Sequence, residues 1–423
     1  MTRPDRRLPP AGGRPDRRLP PAGDRPDRLL PPAGACPARR LPSAGLAALT
    51  AGAAVTAALA SEARIARRAQ PVSDRWQRIP VEPRGDTRIG LSFRPRQAET
   101  FGLEPRAALH TLLGYPWDLV RLGAYWNRIE ATPGAFDTSE LDWQVEAADA
   151  AGRQIVLCVG PVKTFGYPEY FVPEHRLPDG LPEHRLVRPR DQKKLLAAAT
   201  NIVTRIVERY RGCDAVVAWQ VEHDAVDPLG FEHSWRLSAE FVRREVGAVR
   251  LADPSRPVLM NGFLPTSTPV RAQQWWRTRD QGDSLAVAAD LADIVGIDFY
   301  PRHALVGLGP WSLYLSGQAL PWQQAGPRRL RRWAAAGPDR GLMVIEGQAE
   351  PWETTTTPPS PGRGQPYSCR PEHLISNYNH CLRWGPPGTL DAYLLWGAEY
   401  WLQRARHGDP SYLQAFRRLL EES

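Results

Sequence analysis

Three ionisable residues stand side by side in WQVEHDAVDPLG (219–230): Glu222, His223 and Asp224, directly after an apolar run. Burying charge is costly unless it is paired or used. Such a group at the end of a buried strand therefore implies a catalytic acid, a metal site or a polar rim. Metal ligation by the triplet is disfavoured, because adjacent residues point different ways and no spaced second His completes a set. Strand alternation puts Gln220, Glu222 and Asp224 on one face if the strand stays regular, which makes both carboxylates candidate proton donors. Another carboxylate, Glu346, ends the apolar run in GLMVIEG (341–347), with Glu350 as a rival just beyond it. Two carboxyls flanking a bond are what glycosidic cleavage uses, and neighbouring Trp and Tyr offer flat faces on which sugars stack.

The elements that must position these groups follow from the apolar pattern. Eight runs read as strands: 88–93, 118–125, 154–160, 215–222, 256–262, 293–300, 341–347 and 391–398. Between them lie amphipathic stretches such as 191–212 and 233–254, with apolar residues at helical spacing. The stretch 137–152 opens on Asp137 and Glu140, a capping-box pattern. Near-continuous apolar strands alternating with helices indicate a parallel sheet covered on both faces. Eight such units over about 335 residues specify a closed (β/α)8 TIM barrel, and no Gly-rich phosphate loop follows the first strand. Function in such barrels sits at the C-terminal strand ends. Those ends carry Arg121 and Trp126, then Lys163, Tyr167 and Tyr170, then Glu222 to Asp224, Asn261, Asp298 with Tyr300 and His303, Glu346, and Trp396 with Glu399.

At these positions the chain resembles the retaining glycoside hydrolases of clan A, which include family-five cellulases and family-forty-two β-galactosidases. RLGAYWNRIEATPGAFDTSELDW (121–143) is similar to the stretch after their second strand, and WQVEHD to their acid/base motif at the fourth. GIDFYP is similar to their sixth strand, MVIEGQAEPW to the nucleophile strand, and LLWGAEYW to the eighth. The resemblance covers roughly residues 88–423. It implies Glu346 as nucleophile, Tyr300 as its hydrogen-bond partner, Arg121 as the cation that keeps it ionised, and Trp396 as a stacking floor. It further implies a carbohydrate substrate and no metal or organic cofactor. Trp126 and Trp352 are candidate sugar platforms. Trp219, Trp275, Trp276 and Trp401 are expected in the core or rim, and His303 and Glu399 in the walls. The long loop 171–190 is expected to shape the cleft.

One departure stands out. Where the family carries Asn-Glu, this chain carries His223-Asp224. Aspartate is one methylene shorter, and a misplacement of about 1 Å can lower a rate on the order of 100-fold. Three outcomes are open: Asp224 acts with adjusted geometry, the wider gap admits a water and favours inversion, or the barrel binds sugar without cleaving it well. Glu222 remains the alternative proton donor, and imidazole at His223 can still bond a sugar hydroxyl.

Charge is unevenly placed. The net formal charge is +8, and residues 1–87, with 16 arginines and eight acids, account for all of it. The neutral remainder carries no electrostatic footprint for nucleic acid. Residues 1–44 are a Pro- and Arg-rich tandem of 11-residue units (RPDRRLPPAGG and its variants), expected to be disordered. Residues 45–60 have the charged, apolar, small-residue order of a signal peptide or membrane anchor, so a secreted or envelope-anchored protein is expected, with residues 61–87 as a linker and 88–423 as a monomeric barrel. The five cysteines show no C-x-x-C pair. Buried thiols are expected, with a Cys369–Cys381 bridge as the alternative.

Overall fold

All eight expected strands form, and each lies within two residues of its expected bounds. They are β1 (Arg88–Ser92), β2 (Leu119–Gly123), β3 (Gln154–Cys158), β4 (Val216–Gln220), β5 (Val258–Phe263), β6 (Ile294–Phe299), β7 (Gly341–Gln348) and β8 (Ala392–Trp396). In the computed structural model, which describes residues 56–57, 60–67, 74–166, 169–227, 233–308, 310–317, 324–351 and 368–423, they close into one parallel barrel. The lumen is filled by Leu119, Val156, Ala218, Leu259, Met343, Ile345 and Leu394, all buried, so it is a packed core and not a pore. Outward-facing strand residues pack beneath the helices. Along Lys193–Tyr210 the buried positions Leu195, Ala199, Ile202, Val203 and Ile206 recur at one-turn spacing. The register sets Glu346 on β7 opposite Asp298 on β6, so both side chains enter the lumen at the same height.

Two expectations change. The capping box does not form at the helix Ser139–Ala150: Thr138 is its N-cap, Asp137 accepts from Ser139 N at 2.9 Å, and Glu140 pairs with Arg128. The expected linker 61–87 contributes structure. Ala63–Arg67 is the edge strand of a three-stranded antiparallel sheet with Arg302–Leu308 and Trp311–Ser316, a hairpin that follows β6. Further along, Trp76 is buried, and Pro80 and Glu82 bond both ends of the Asn379 amide. Three apolar residues, Trp76 in the core with Ile79 and Val81 packed against it, suffice to dock an otherwise polar stretch. The expectation of buried thiols agrees with the structure: Cys369 and Cys381 are buried and free, as are Cys158 and, half-buried, Cys213.

The repeats of 1–44 and most of the apolar segment 45–60 lie outside the described residues, as do Tyr167 and Trp352. Among the described residues, no helix is long and apolar enough to cross a membrane.

Candidate active site

The chain leaves β4 by an abrupt turn. Gln220 faces the lumen, but Glu222 and Asp224 take left-handed backbone angles, φ 56° and 43°, each costing roughly 1–2 kcal/mol for an L-residue. The turn breaks the alternation that would put Glu222 beside Asp224. Glu222 swings behind the strand, where its carboxylate accepts from Val162 N (3.1 Å) and Lys163 N (2.5 Å) next to buried Glu245. Glu222 is therefore a structural carboxylate, which corrects its reading as a proton donor. Gly160 makes the turn possible, since a Cβ there would lie 2.0 Å from Glu222 N. Lys163, fully buried, holds the turn from within: Nζ donates to Asp224 O (2.6 Å) and Asp227 O (3.0 Å), and Lys163 O accepts from His223 N (2.6 Å).

Across the mouth, Glu346 is held by two donors. Arg121 Nη1 reaches Oε1 at 2.6 Å, and the Tyr300 hydroxyl donates to Oε2 at 2.8 Å. Burial pushes the Glu346 carboxyl up, while Arg121 and Tyr300 oppose that rise. The same guanidinium donates through Nε to Gln220 Oε1 (2.7 Å), and its Nη2 lies 3.3 Å from His223 Nδ1. Its plane rests 3.9 Å over the Phe165 ring.

This arginine fixes the direction of a chain of hydrogen bonds, because it has donors and no acceptor. Gln220 must present oxygen to Arg121, so its amide nitrogen donates to Asn261 Oδ1 at 2.9 Å. Asn261 then donates from Nδ2 to Asp298 Oδ2 (2.6 Å) and to His223 Nδ1 (2.9 Å). His223 Nδ1 is an acceptor, and the ring proton sits on Nε2. Burial, with the charges of Arg121 and Lys163, holds His223 well below its ordinary pKa, in agreement with a neutral ring.

The structure brings Asp224 into this cluster. One oxygen each of Asp224 and Asp298 and one ring nitrogen of His223 lie within 4.8 Å of one another, all buried. His223 Nδ1 is also 3.5 Å from Glu346 Oε1, so the imidazole stands between the two ends of the site. The trio has the number of groups that could hold a cation. Nδ1 is already taken by Asn261, however, and the Arg121 guanidinium lies against the ring, an arrangement that disfavours a metal ion.

The remaining expected residues divide. Trp396, Tyr300, Phe165, Phe263 and Cys158 form an apolar cluster at the mouth, with Trp396 still 9% exposed. Trp126 is wholly buried and donates to Glu130 Oε2 at 2.7 Å; it offers no face to a sugar, which corrects its reading as a platform. Trp219 and Trp401 are core residues, whereas Trp275 and Trp276 are exposed. Glu350 and Glu399 both pair with Arg94 at 2.6–2.8 Å, and that guanidinium lies 4.2 Å over Trp396. Glu350 thus belongs to the β1–β7–β8 seam and not to the catalytic mouth. His303 packs edge-on to Phe263 at 5.5 Å, with burial lowering its pKa to about 4. Asn261 and Asp298 stand at expected strand ends and Gln220 on an expected lumenal face, but the sequence assigns none of the three a specific role. The available signal was alternation, which puts Asp298 on the same strand face as Tyr300.

Residues 116–243 match the family model Glyco_hydro_42, described as beta-galactosidase. The matched stretch runs from just before β2 into the helix after β4. It includes Arg121, Gln220, His223 and Asp224 but ends before Tyr300 and Glu346. The barrel superposes on the cold-adapted β-galactosidase from Rahnella sp. R3 with TM-score 0.50 and 11% identity, covering 81% of this chain and 57% of that one. A β-galactosidase from Bacillus circulans sp. alkalophilus gives 0.48 and 13%, covering 82% and 56%. Xylanase 10B from Thermotoga petrophila RKU-1, in complex with xylobiose, gives 0.48 and 12%, covering 80% and 94%. The chain spans little more than half the length of the two β-galactosidases, and at these identities the likeness is one of fold. No curated protein matches the chain.

Proposed function

We propose that the barrel hydrolyses O-glycosidic bonds in an oligo- or polysaccharide by double displacement. The observation that carries this reading is Glu346, a buried carboxylate at the end of β7 gripped by Arg121 at 2.6 Å and Tyr300 at 2.8 Å, with the Asp224 carboxyl held in the same cluster from β4. The family match at residues 116–243 supports the same class of chemistry. Glu346 attacks the anomeric carbon as the glycosidic C–O bond breaks, and Asp224 gives its proton to the departing oxygen. A water then gives its proton to the Asp224 carboxylate, bonds to the anomeric carbon and displaces Glu346. Neutral His223 stands where the family has asparagine and offers its Nε2–H to a sugar hydroxyl. Trp396 supplies the stacking floor. Export, with residues 45–60 as signal peptide or anchor, is the setting we propose for a protein acting on such a glycan.

The test is a screen of aryl glycosides and cell-wall polysaccharides with wild type, Glu346→Gln and Asp224→Asn. Hydrolysis abolished by the first substitution, and by the second on substrates with poor leaving groups, supports the reading. Sugar binding by wild type without turnover replaces it with a carbohydrate-binding barrel, the reading that the shorter Asp224 favours. The anomer of the first product separates retention from inversion.

A further inference from the structure

The catalytic reading uses Asp224 and Glu346 but leaves a third lumenal carboxyl, Asp298, without a task. Its register neighbour on β7 is Glu346, and a carboxyl oxygen of Asp224 lies within 4.8 Å of one of its own. Both aspartates are buried, Asp298 at 1% exposure and Asp224 at 7%. The charged and titratable groups around them come from every wall. Arg121 on β2 places its three donor nitrogens toward Gln220, Glu346 and His223. Lys163, after β3, places its ammonium on the backbone oxygens of Asp224 and Asp227. Asp227 stands beyond the β4 turn, where burial and then the Asp224 charge push it up to about 8. Tyr300 on β6 is committed to Glu346 on β7. Asn261 on β5 serves Asp298 through one oxygen only.

Among the described residues, therefore, no cation touches either aspartate carboxyl. One oxygen of each, Oδ1, is buried without a hydrogen-bond partner. Two anions this close in a dry site repel strongly, and while Glu346 is also ionised a proton held by the pair removes one of the three charges.

We propose that Asp298 is the positioning residue for the acid/base: Asp224 and Asp298 hold one proton between them, and Asp298 keeps it where Asp224 can deliver it to the glycosidic oxygen. The inference rests on the hydrolytic reading above. Aspartate is intrinsically the stronger acid of the two carboxyl types, so in place of glutamate it needs help to stay protonated at neutral pH. Burial raises both aspartates, and the charges of Glu346 and Asp224 add to the rise at Asp298. The charge balances across the step. As Glu346 loses its negative charge to the covalent bond, the aspartate pair gives its proton to the leaving oxygen and takes on one further negative charge, so the total over the three carboxyls is unchanged.

The test is the pH profile of kcat/KM for Asp298→Asn, measured with a poor leaving group (a methyl- or alkyl-substituted phenyl glycoside) and with a dinitrophenyl glycoside, which needs no protonation. The alkaline limb for the poor leaving group is expected to move down by about one pH unit or more once the like charge is gone. The dinitrophenyl substrate should change by less than about threefold, and Asp298→Glu should return the limb toward wild type. An unmoved limb, or an equal loss on both substrates, overturns the proposal. Should Asp298→Asn fail to fold, ¹³C-carboxyl NMR of wild type and Asp224→Asn reads the pair directly. Linked titration, with one step above about pH 6, supports the shared proton. Two independent steps below about pH 5 overturn it. Linked titration in a wild type that turns over no glycoside retains the pair and overturns both its delivery step and the hydrolytic reading.

Discussion

Replacing Tyr300 with phenylalanine removes one oxygen atom from the site and little else. The hydroxyl donates to Glu346 Oε2 at 2.8 Å, while the ring lies against Phe263 with centroids 6.4 Å apart and planes 27° from parallel. Phenylalanine keeps that packing. A hydrogen bond to a charged group contributes about 1.5–3 kcal/mol, and one pKa unit corresponds to about 1.4 kcal/mol. The tyrosine bond favours the ionised carboxylate, so its loss raises the Glu346 pKa, by roughly 1–2 units on these figures. The nucleophile must be ionised to attack, and the acid limb of kcat/KM reports it in the free enzyme. In Tyr300→Phe that limb should therefore move to higher pH by about 1–2 units, while the rate on the plateau changes less. The assay is initial-rate hydrolysis of a nitrophenyl glycoside between about pH 4 and 9, with thermal unfolding as the control for folding. An acid limb that stays in place in a folded Tyr300→Phe protein would refute the assignment of Glu346 as nucleophile.

Glu222→Gln should leave kcat and KM within about threefold of wild type yet lower the thermal midpoint, since an amide nitrogen replaces one acceptor for the backbone N–H groups of Val162 and Lys163; a collapse of kcat on substrates with poor leaving groups alone would restore Glu222 as the acid. Stability should fall between about pH 7.5 and 8.5, where the buried histidines held below their ordinary pKa are neutral in the folded and unfolded chain alike, because burial raises Asp227 to about 8, Glu222 to about 7 and Glu245 well above its ordinary value. A raised acid gives its full stabilisation below its unfolded pKa and loses it as pH climbs through the folded one. Glu130 and Glu183, lowered to about 2, add a contribution that is constant over this range, so a melting temperature that rises toward pH 8.5 would contradict the burial of the raised groups.

The barrel was legible because parallel strands buried on both faces are written as uninterrupted runs of Val, Ile and Leu, and chain order then assigns their ends. Arg121, Tyr300, Glu346 and Trp396 could be placed that way, since each lies on or directly after a regular strand. Glu222 could not. Nothing in VEHD marks two left-handed residues, and the one written sign of the turn is a glycine sixty positions earlier, Gly160, whose missing side chain leaves room for it. Trp126 was misplaced for a related reason: its position after β2 is that of a site residue, but the short helix it begins (Trp126–Ile129) turns the indole inward to Glu130. The strand Ala63–Arg67 pairs with Trp311–Leu315, far along the chain, a partnership that no local pattern records. Asp298 was visible as a strand-end acid, but its meaning depends on how close Asp224 comes, which only the folded backbone decides.

The one-way chain from Arg121 through Gln220 and Asn261 to His223 closes on itself, because the same guanidinium also places Nη2 3.3 Å from His223 Nδ1. Two donors therefore face one ring nitrogen, and neither can turn an acceptor to it freely. Arginine has no acceptor, and an inverted Asn261 would set its oxygen against Asp298 Oδ2, which lies 2.6 Å from the amide nitrogen. The tautomer of the ring is insured twice. A substitution that disturbs one route, such as Gln220→Glu, leaves the other in place, so the hydrogen on Nε2 is a fixed feature of the barrel mouth that single changes behind the ring do not reverse.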